Sequence, residues 1–185
     1  MTIYMMVGLP ASGKSTLAKK LSSANPDYAY VSRDEIRHKM NGSYRVNFQK
    51  EDKVRKEFCK EVYSKMLEGY SVIFADATHI TPASRMAFYN DLMFFVRQER
   101  KINESDIEII PLVLDVPWEV CYQRNAQRPA EVCVPDKDMI DFYQKKARLP
   151  SKDDDGLHDR LFPERLFYNY SNDTFEIVRI LGGSN

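Results

Sequence analysis

The segment TIYMMVGLPASGKST, residues 2–16, decides the fold. Thr2 to Val7 are apolar or β-branched in succession, as in a strand buried on both faces, and Ser15 to Ala24 read as a helix. Between them Gly8, Leu9, Pro10, Ala11, Ser12, Gly13, Lys14 and Ser15 spell GxxxxGKS. Glycines at both ends let the backbone wind tightly enough to aim successive N–H groups at phosphate oxygens, and the helix N-terminus adds partial positive charge. This is the P-loop in its required strand–loop–helix context. Lys14 is predicted to bind the β- and γ-phosphates and the Ser15 hydroxyl to ligate Mg²⁺; Pro10, Ala11, Ser12 and Thr16 complete the nucleotide cradle. At average residue frequencies such a match arises by chance roughly once in a hundred chains of this length, before the flanks are required.

The remaining elements alternate in the same way, which predicts a three-layer α/β P-loop NTPase fold: a parallel sheet with helices on both faces. Candidate strands are Tyr28 to Val31, Ser71 to Ala75, Ile107 to Leu114 and Phe175 to Ile180. Candidate helices are Asp34 to Lys39, Lys50 to Leu67, Ala83 to Glu99, Trp118 to Arg128 and Asp136 to Ala147. Gly69 is a C′ residue for the third helix, and Thr81 with Pro82 supplies an N-cap and N1 proline for the fourth. Pro150 to Ser171 changes character, and is expected to pack Leu161, Phe162, Leu166, Phe167 and Tyr168 against the domain. DDDG at 153–156 lacks the glutamate and spacing of an EF-hand and reads as a solvated acidic turn.

The 185 residues suit one domain, 1–185. Lysine plus arginine and aspartate plus glutamate number 27 each, so no global positive field holds nucleic acid indiscriminately, and an anionic partner has to be gripped locally. With 43% hydrophobic and 29% charged residues the chain is predicted to fold. It has no apolar run of membrane-spanning length and its N-terminus has no signal-peptide pattern, which predicts a cytoplasmic protein without membrane contact. Cys59, Cys121 and Cys133 lack a CxxC spacing and read as reduced thiols.

A P-loop alone does not choose among chemistries. No NKxD motif occurs, which weakens a GTPase reading. The second strand ends in Ser32, Arg33, Asp34, at the carboxyl edge where phosphates lie. There Asp34 can accept the proton of an attacking hydroxyl or cap the following helix. Arg37, three residues on, shares its face, as an anion clamp for the acceptor or as an intrahelical ion pair. Arg33, Arg37, His38, Lys39 and Arg45 form a local basic patch. The third strand runs into Asp76, Ala77, Thr78 and His79, where Asp76 is a candidate for the metal shell, for the acceptor or for a structural cap, and His79 a polar contact or bystander. Arg124 and Arg128, spaced i and i+4, either stabilise a transferring phosphoryl group from a lid or form a solvated basic face.

With these residues in place, the chain resembles the kinase domain of the 5′-polynucleotide kinase family, of the kind found in bacteriophage RNA repair. GLPASGKST is similar to its P-loop, SRDEIR to its acceptor and general-base motif, and FADATH to its third-strand element. LDVPWEVCYQRNAQR followed by VPDKDMIDFYQKKAR is similar to its lid. The similarity spans about residues 1–148. It implies that Lys14 and Ser15 serve phosphates and magnesium and that Asp34 activates a 5′-hydroxyl. It makes Arg37 a ligand of the acceptor phosphate, with Asp76 and Thr78 on the acceptor side. Arg128, with Arg124, becomes the arginine of a helical lid over about 118–148, followed by an extension over 150–185. The family's aspartate, threonine, asparagine element stands here as Asp76, Ala77, Thr78, His79. No DxDxT nucleophile motif is present, so no phosphatase activity is expected.

The expected activity is transfer of the γ-phosphate of ATP, with Mg²⁺, to the 5′-hydroxyl of a DNA or RNA end. The alternatives are a kinase of small-molecule hydroxyls on the same fold and a nucleotide-binding switch module.

Overall fold

The computed structural model describes residues 1–150, 162 and 164–179. The acidic turn read at 153–156 and Leu161 lie outside these residues. The elements follow in the order β1 (Thr2–Gly8), α1 (Lys14–Ser22), β2 (Tyr28–Ser32), α2 (Arg33–Asn41), α3 (Glu51–Leu67), β3 (Val72–Asp76), α4 (Pro82–Glu99), β4 (Glu108–Leu114), α5 (Trp118–Ala126), α6 (Asp136–Asp138), β5 (Glu164–Asn169) and β6 (Thr174–Arg179). They build one sheet of strand order β2-β3-β1-β4-β5-β6. All neighbours pair in parallel except β5 and β6.

Alternation along β1 assigns the two cores. Ile3, Met5 and Val7 face Phe58 and Val62 of α3 and Phe88 and Leu92 of α4. Met6, on the other face, packs with Leu17 and Ala18 of α1, Leu112 and Leu114 of β4 and Cys121 of α5. Successive side chains of a strand point to opposite faces, and both faces are covered, so three layers result. Thr81 and Pro82 open α4 as read, with a reciprocal capping box: Thr81 Oγ1 accepts from the Ser84 N–H at 3.1 Å and Ser84 Oγ from the Thr81 N–H at 3.1 Å. Gly69 follows α3 at φ 89°, the left-handed region that favours glycine.

Three elements differ from the sequence pattern. Glu164–Asn169 forms β5, paired with Leu112 and Val113 of β4, where only an extension packed on the domain was expected. Its pattern hides the strand, because Arg165 occupies a fully buried position and charged residues depress the apolar signal. Phe162 and Phe167 of this segment do enter the α3–α4 core. The last strand, β6, runs antiparallel to β5 because the turn at 170–173 is too short for a crossover. The regular helix expected over Asp136 to Ala147 is a short α6 that widens into a π-type turn, Met139–Gln144; Met139 is buried against the body, while Phe142 and Tyr143 face the cleft described below.

The parallel register aligns the strand ends that carry chemistry. Ser32 lies beside Asp76, and Gly8 beside Leu114, so the segments leaving β1, β2, β3 and β4 share one edge. Just beyond β3, His79 is buried between the sheet and α4, with its Nδ1 2.9 Å from the Met6 carbonyl oxygen and its ring 4.9 Å from that of Phe88. Burial first, and then Arg33, Arg85 and Lys14, lower its pKa from 6.5 to about 3. Between those values the unfolded chain takes up a proton that the folded one refuses, so stability falls as pH drops below about 6.5. At pH 5 this one group is expected to remove about 2 kcal/mol. Urea unfolding from pH 7 to 5 should show a slope about one proton smaller in His79→Gln; an unchanged slope would contradict the buried neutral imidazole.

Candidate active site

The loop after β1 is shaped by contacts that leave no room at its first residue. A Cβ on Gly8 would lie 2.8 Å from Ser12 Oγ and 2.9 Å from the Leu114 carbonyl oxygen. Gly13, at φ 98°, turns the chain into α1 in a conformation that costs an L-residue energy. Ala11 also sits at positive φ, 61°, and such strain is held only where the surroundings determine it. Lys14 folds back across the loop, its Nζ donating to the Leu9 carbonyl at 2.7 Å. It is buried, and burial lowers its pKa, against the pull of Asp76 and Asp34. An ammonium desolvated in this way is stabilised by any anion brought to it.

Ser15, in the first turn of α1, stands close to Asp76 at the end of β3, near enough to favour its charged form. The Asp76 carboxylate is buried and accepts from the Tyr30 hydroxyl at 2.8 Å. Burial raises its pKa, opposed by Lys14, Ser15 and Tyr30. A hydroxyl and a carboxylate side by side form a hard oxygen donor pair that suits Mg²⁺, so Asp76 joins Ser15 as a candidate to hold the ion. The β3–α4 loop is tied to the P-loop by the Gly8 N–H, which donates to the Thr78 carbonyl at 3.0 Å.

On the β2 side, the cap of α2 is Ser32, whose Oγ accepts from the Glu35 N–H at 3.3 Å. Asp34 is thus the second helical residue and does not serve as the cap, the alternative its position allowed. Its side chain is 64% exposed while Arg37 is 6% exposed, and the two form an ion pair. Arg37 is further held by Glu51, the first residue of α3: Nε donates to Oε1 at 2.6 Å and Nη2 to Oε2 at 3.0 Å. Arg33 Nη2 donates to the same Oε2 at 2.8 Å. Burial acts against the charge of Arg37, but Glu51 and Asp34 outweigh it and raise its pKa.

From the β4 side comes the lid. α5 ends at Ala126, so Arg128 lies just beyond the helix, its N–H donating to the Asn125 carbonyl at 3.1 Å; the shared helical face expected for Arg124 and Arg128 does not extend to it. Arg124 lies 6.0 Å from the ring of Tyr170 in the β5–β6 turn. Buried Asn125 pins the loop that follows, its Nδ2 donating to the Val134 carbonyl at 2.7 Å and its Oδ1 accepting from the Val134 N–H at 3.0 Å. The end of the lid is fastened where the Arg148 N–H donates to the Ile80 carbonyl at 2.7 Å, and Arg85 Nη1 donates to the Arg148 carbonyl at 2.9 Å.

These segments enclose a cleft of about 1170 Å³. Pro10, Ala11, Ser12, Gly13, Lys14, Ser15, Thr16, Asp34, Arg37, Asp76, Thr78, Arg124 and Arg128 all line it; Gly8 instead closes the loop from beneath. Because β1 lies between β3 and β4, α2 and α5 reach the P-loop from opposite sides, the arrangement in which open α/β sheets bind ligands. His79 does not reach the cleft. Sequence reasoning missed Glu51, Tyr30 and Asn125. Asn125 stands within the lid motif, but Glu51 and Tyr30 meet their partners only through tertiary packing.

The sequence model of a family described as AAA domain matches residues 3–149. The chain belongs to that family. Among solved structures, this AAA-domain protein superposes on one described as a fungal RNA kinase with a TM-score of 0.67, at 15% identity over 94% of this chain and 76% of that one. It matches a chain of the Pnkp1/Rnl/Hen1 RNA repair complex at TM-score 0.53 and 18% identity, over 99% of this chain and 50% of that one. A second structure of a Pnkp1/Rnl/Hen1 complex matches at 0.50 and 22%, over 83% and 47%. The chain thus spans about half the length of these last two. Likeness at such identity establishes the fold alone, the mostly parallel, helix-covered sheet of a P-loop domain.

The Arg33–Glu51–Arg37 cluster of this AAA domain is open to test without reference to activity. Removing one partner from a largely buried ion-pair cluster leaves charge uncompensated. Glu51→Gln is expected to cost about 2 to 3 kcal/mol in urea unfolding, and a double-mutant cycle with Arg33→Gln to give a coupling of at least about 1 kcal/mol. Additive effects would contradict the shared contact.

Proposed function

We propose that the chain transfers the γ-phosphate of ATP to the 5′-hydroxyl of a polynucleotide. The observation that carries this reading is the exposed carboxylate of Asp34, oriented by Arg37 and facing the same cleft as Lys14. A carboxylate so held can accept the proton of a hydroxyl as its oxygen attacks the terminal phosphorus. Lys14 and the P-loop N–H groups bind the β- and γ-phosphates. Ser15 and Asp76 would hold Mg²⁺, which when bound neutralises charge on the β- and γ-oxygens. Arg124 and Arg128, entering from the lid, stabilise charge spread over the transferring group. The structural likeness to an RNA kinase and to RNA repair complexes supports a nucleic acid acceptor, and neutral net charge fits an acceptor gripped through one or two phosphates at Arg37.

One observation favours a second reading. Arg37 already spends Nε, Nη1 and Nη2 on Asp34, Glu51 and the Tyr44 carbonyl, which suits a small uncharged acceptor better than a phosphate. The acceptor therefore discriminates. Incubation with γ-labelled ATP and a panel of 5′-hydroxyl oligonucleotides, nucleoside 3′-phosphates, bare nucleosides, sugars and water is expected to label the nucleotide 5′ ends. Preference for bare nucleosides or sugars would establish the small-molecule kinase, and label released only to water a nucleotide-hydrolysing switch.

Asp34→Ala is expected to lower transfer about 10² to 10⁴-fold while ATP binding, followed by fluorescence titration, persists. Lys14→Ala should weaken both. Undiminished turnover in Asp34→Ala would remove the base assignment.

A further inference from the structure

We propose that the acceptor strand continues past the reaction centre onto the loop joining α2 to α3, where Phe48 stacks an unpaired nucleobase, so that the preferred acceptor is a single-stranded end of several nucleotides. This rests on the polynucleotide reading above and adds to it a strand path and a length preference.

The loop leaves α2 at Gly42, whose N–H donates to the His38 carbonyl at 2.7 Å with φ at 68°, and returns at Glu51. Within it, the Lys50 N–H donates to the Asn47 carbonyl at 2.8 Å and the Gln49 N–H to Asn47 Oδ1 at 3.1 Å. Phe48 sits at the tip of this turn and is 79% exposed, the most exposed of the large hydrophobic residues described. Val46, 46% exposed, lies two residues before it, and both line the main cleft. Folding alone does not explain an aromatic ring left in water at a turn braced by its own hydrogen bonds.

The cavity also continues beyond Asp34. A second hollow of about 400 Å³ is lined by His38, Gly42, Ser43, Tyr44, Arg45 and Glu131. Tyr44, Arg45 and Glu131 line the main cleft as well, so the two spaces share a wall and lie next to each other along this loop. Tyr44 is stacked on His38, with centroids 4.3 Å apart and planes at 21°, which fixes that wall.

Charge identifies the occupant. Glu51 compensates Arg33 and Arg37, whereas Arg45 and Lys50 make no ion pair among the described residues. The loop thus carries positive charge left for a ligand, with Arg45 between Tyr44 and Val46 and Lys50 two residues beyond Phe48. Cations that follow a phosphodiester backbone, interleaved with rings that receive bases, are the means by which proteins bind single strands. A paired base offers no free face to such a ring.

The test compares kcat/KM for a 3′-phosphorylated mononucleoside, a 5′-hydroxyl single-stranded hexamer and the same hexamer in a blunt duplex, for the wild type, Phe48→Ala, Phe48→Trp and Arg45→Ala. The wild type is expected to favour the single-stranded hexamer over both other acceptors. In Phe48→Ala the ratio of hexamer to mononucleotide should fall about tenfold, as for loss of one base–aromatic stack, and Phe48→Trp should retain it. Arg45→Ala should lower hexamer use and reduce its salt dependence. A Phe48→Ala ratio equal to that of the wild type, or a wild type indifferent to length or to pairing, overturns this inference alone. Absence of transfer to every nucleotide acceptor overturns the polynucleotide reading and this one with it.

Discussion

The chain leaving β1 has to turn within one residue while pressed against β4, and everything at the site depends on that constraint. Gly8 meets it because nothing larger than hydrogen fits between Ser12 Oγ and the Leu114 carbonyl. The turn delivers Gly13 and Lys14 to the start of α1, and with them a ring of N–H groups and a desolvated ammonium. The parallel register then brings Asp76 against the same loop. Strand pairing, cavity and charge are linked through one close backbone approach.

A second cluster organises the opposite wall. Glu51 gathers Arg33 and Arg37, and Arg37 in turn orients Asp34. Asp34 remains exposed while the arginine that steers it is largely enclosed. It also anchors the start of α3, so the loop from Gly42 to Lys50 spans two points fixed by hydrogen bonds. The lid is likewise anchored, by Asn125 at the Val134 backbone and by Arg148 at Ile80, which fixes where Arg124 and Arg128 enter.

Much of this was legible before any coordinates. The P-loop, four of the five strands read and the caps at Thr81 and Gly69 stand where local pattern put them, because buried parallel strands are continuously apolar and caps use few residue types. The fifth, at the C-terminal edge, is also a strand, but in the opposite direction. The β5 strand was not legible: Arg165 is buried in it, and only its surroundings make that tolerable. The first lid helix was read two residues too long, since periodicity does not register where α5 gives way to a loop pinned by a side-chain amide; the second has the extent read, with helical turns over 136–146, but periodicity does not mark where it widens into a π turn.

By itself the sequence determined the nucleotide cradle, the alternating α/β order and the candidates Asp34, Arg37, Arg124 and Arg128, because motifs and periodicity are local and follow from residue type and spacing. Tertiary structure alone decided that Ser32 caps α2 and so leaves Asp34 free, that Asp76 stands with Ser15, and that Glu51 draws two arginines together across 18 and 14 residues of chain. Those choices are contacts between elements, set by strand register and by the cost of burying charge without a partner, and no local pattern encodes either.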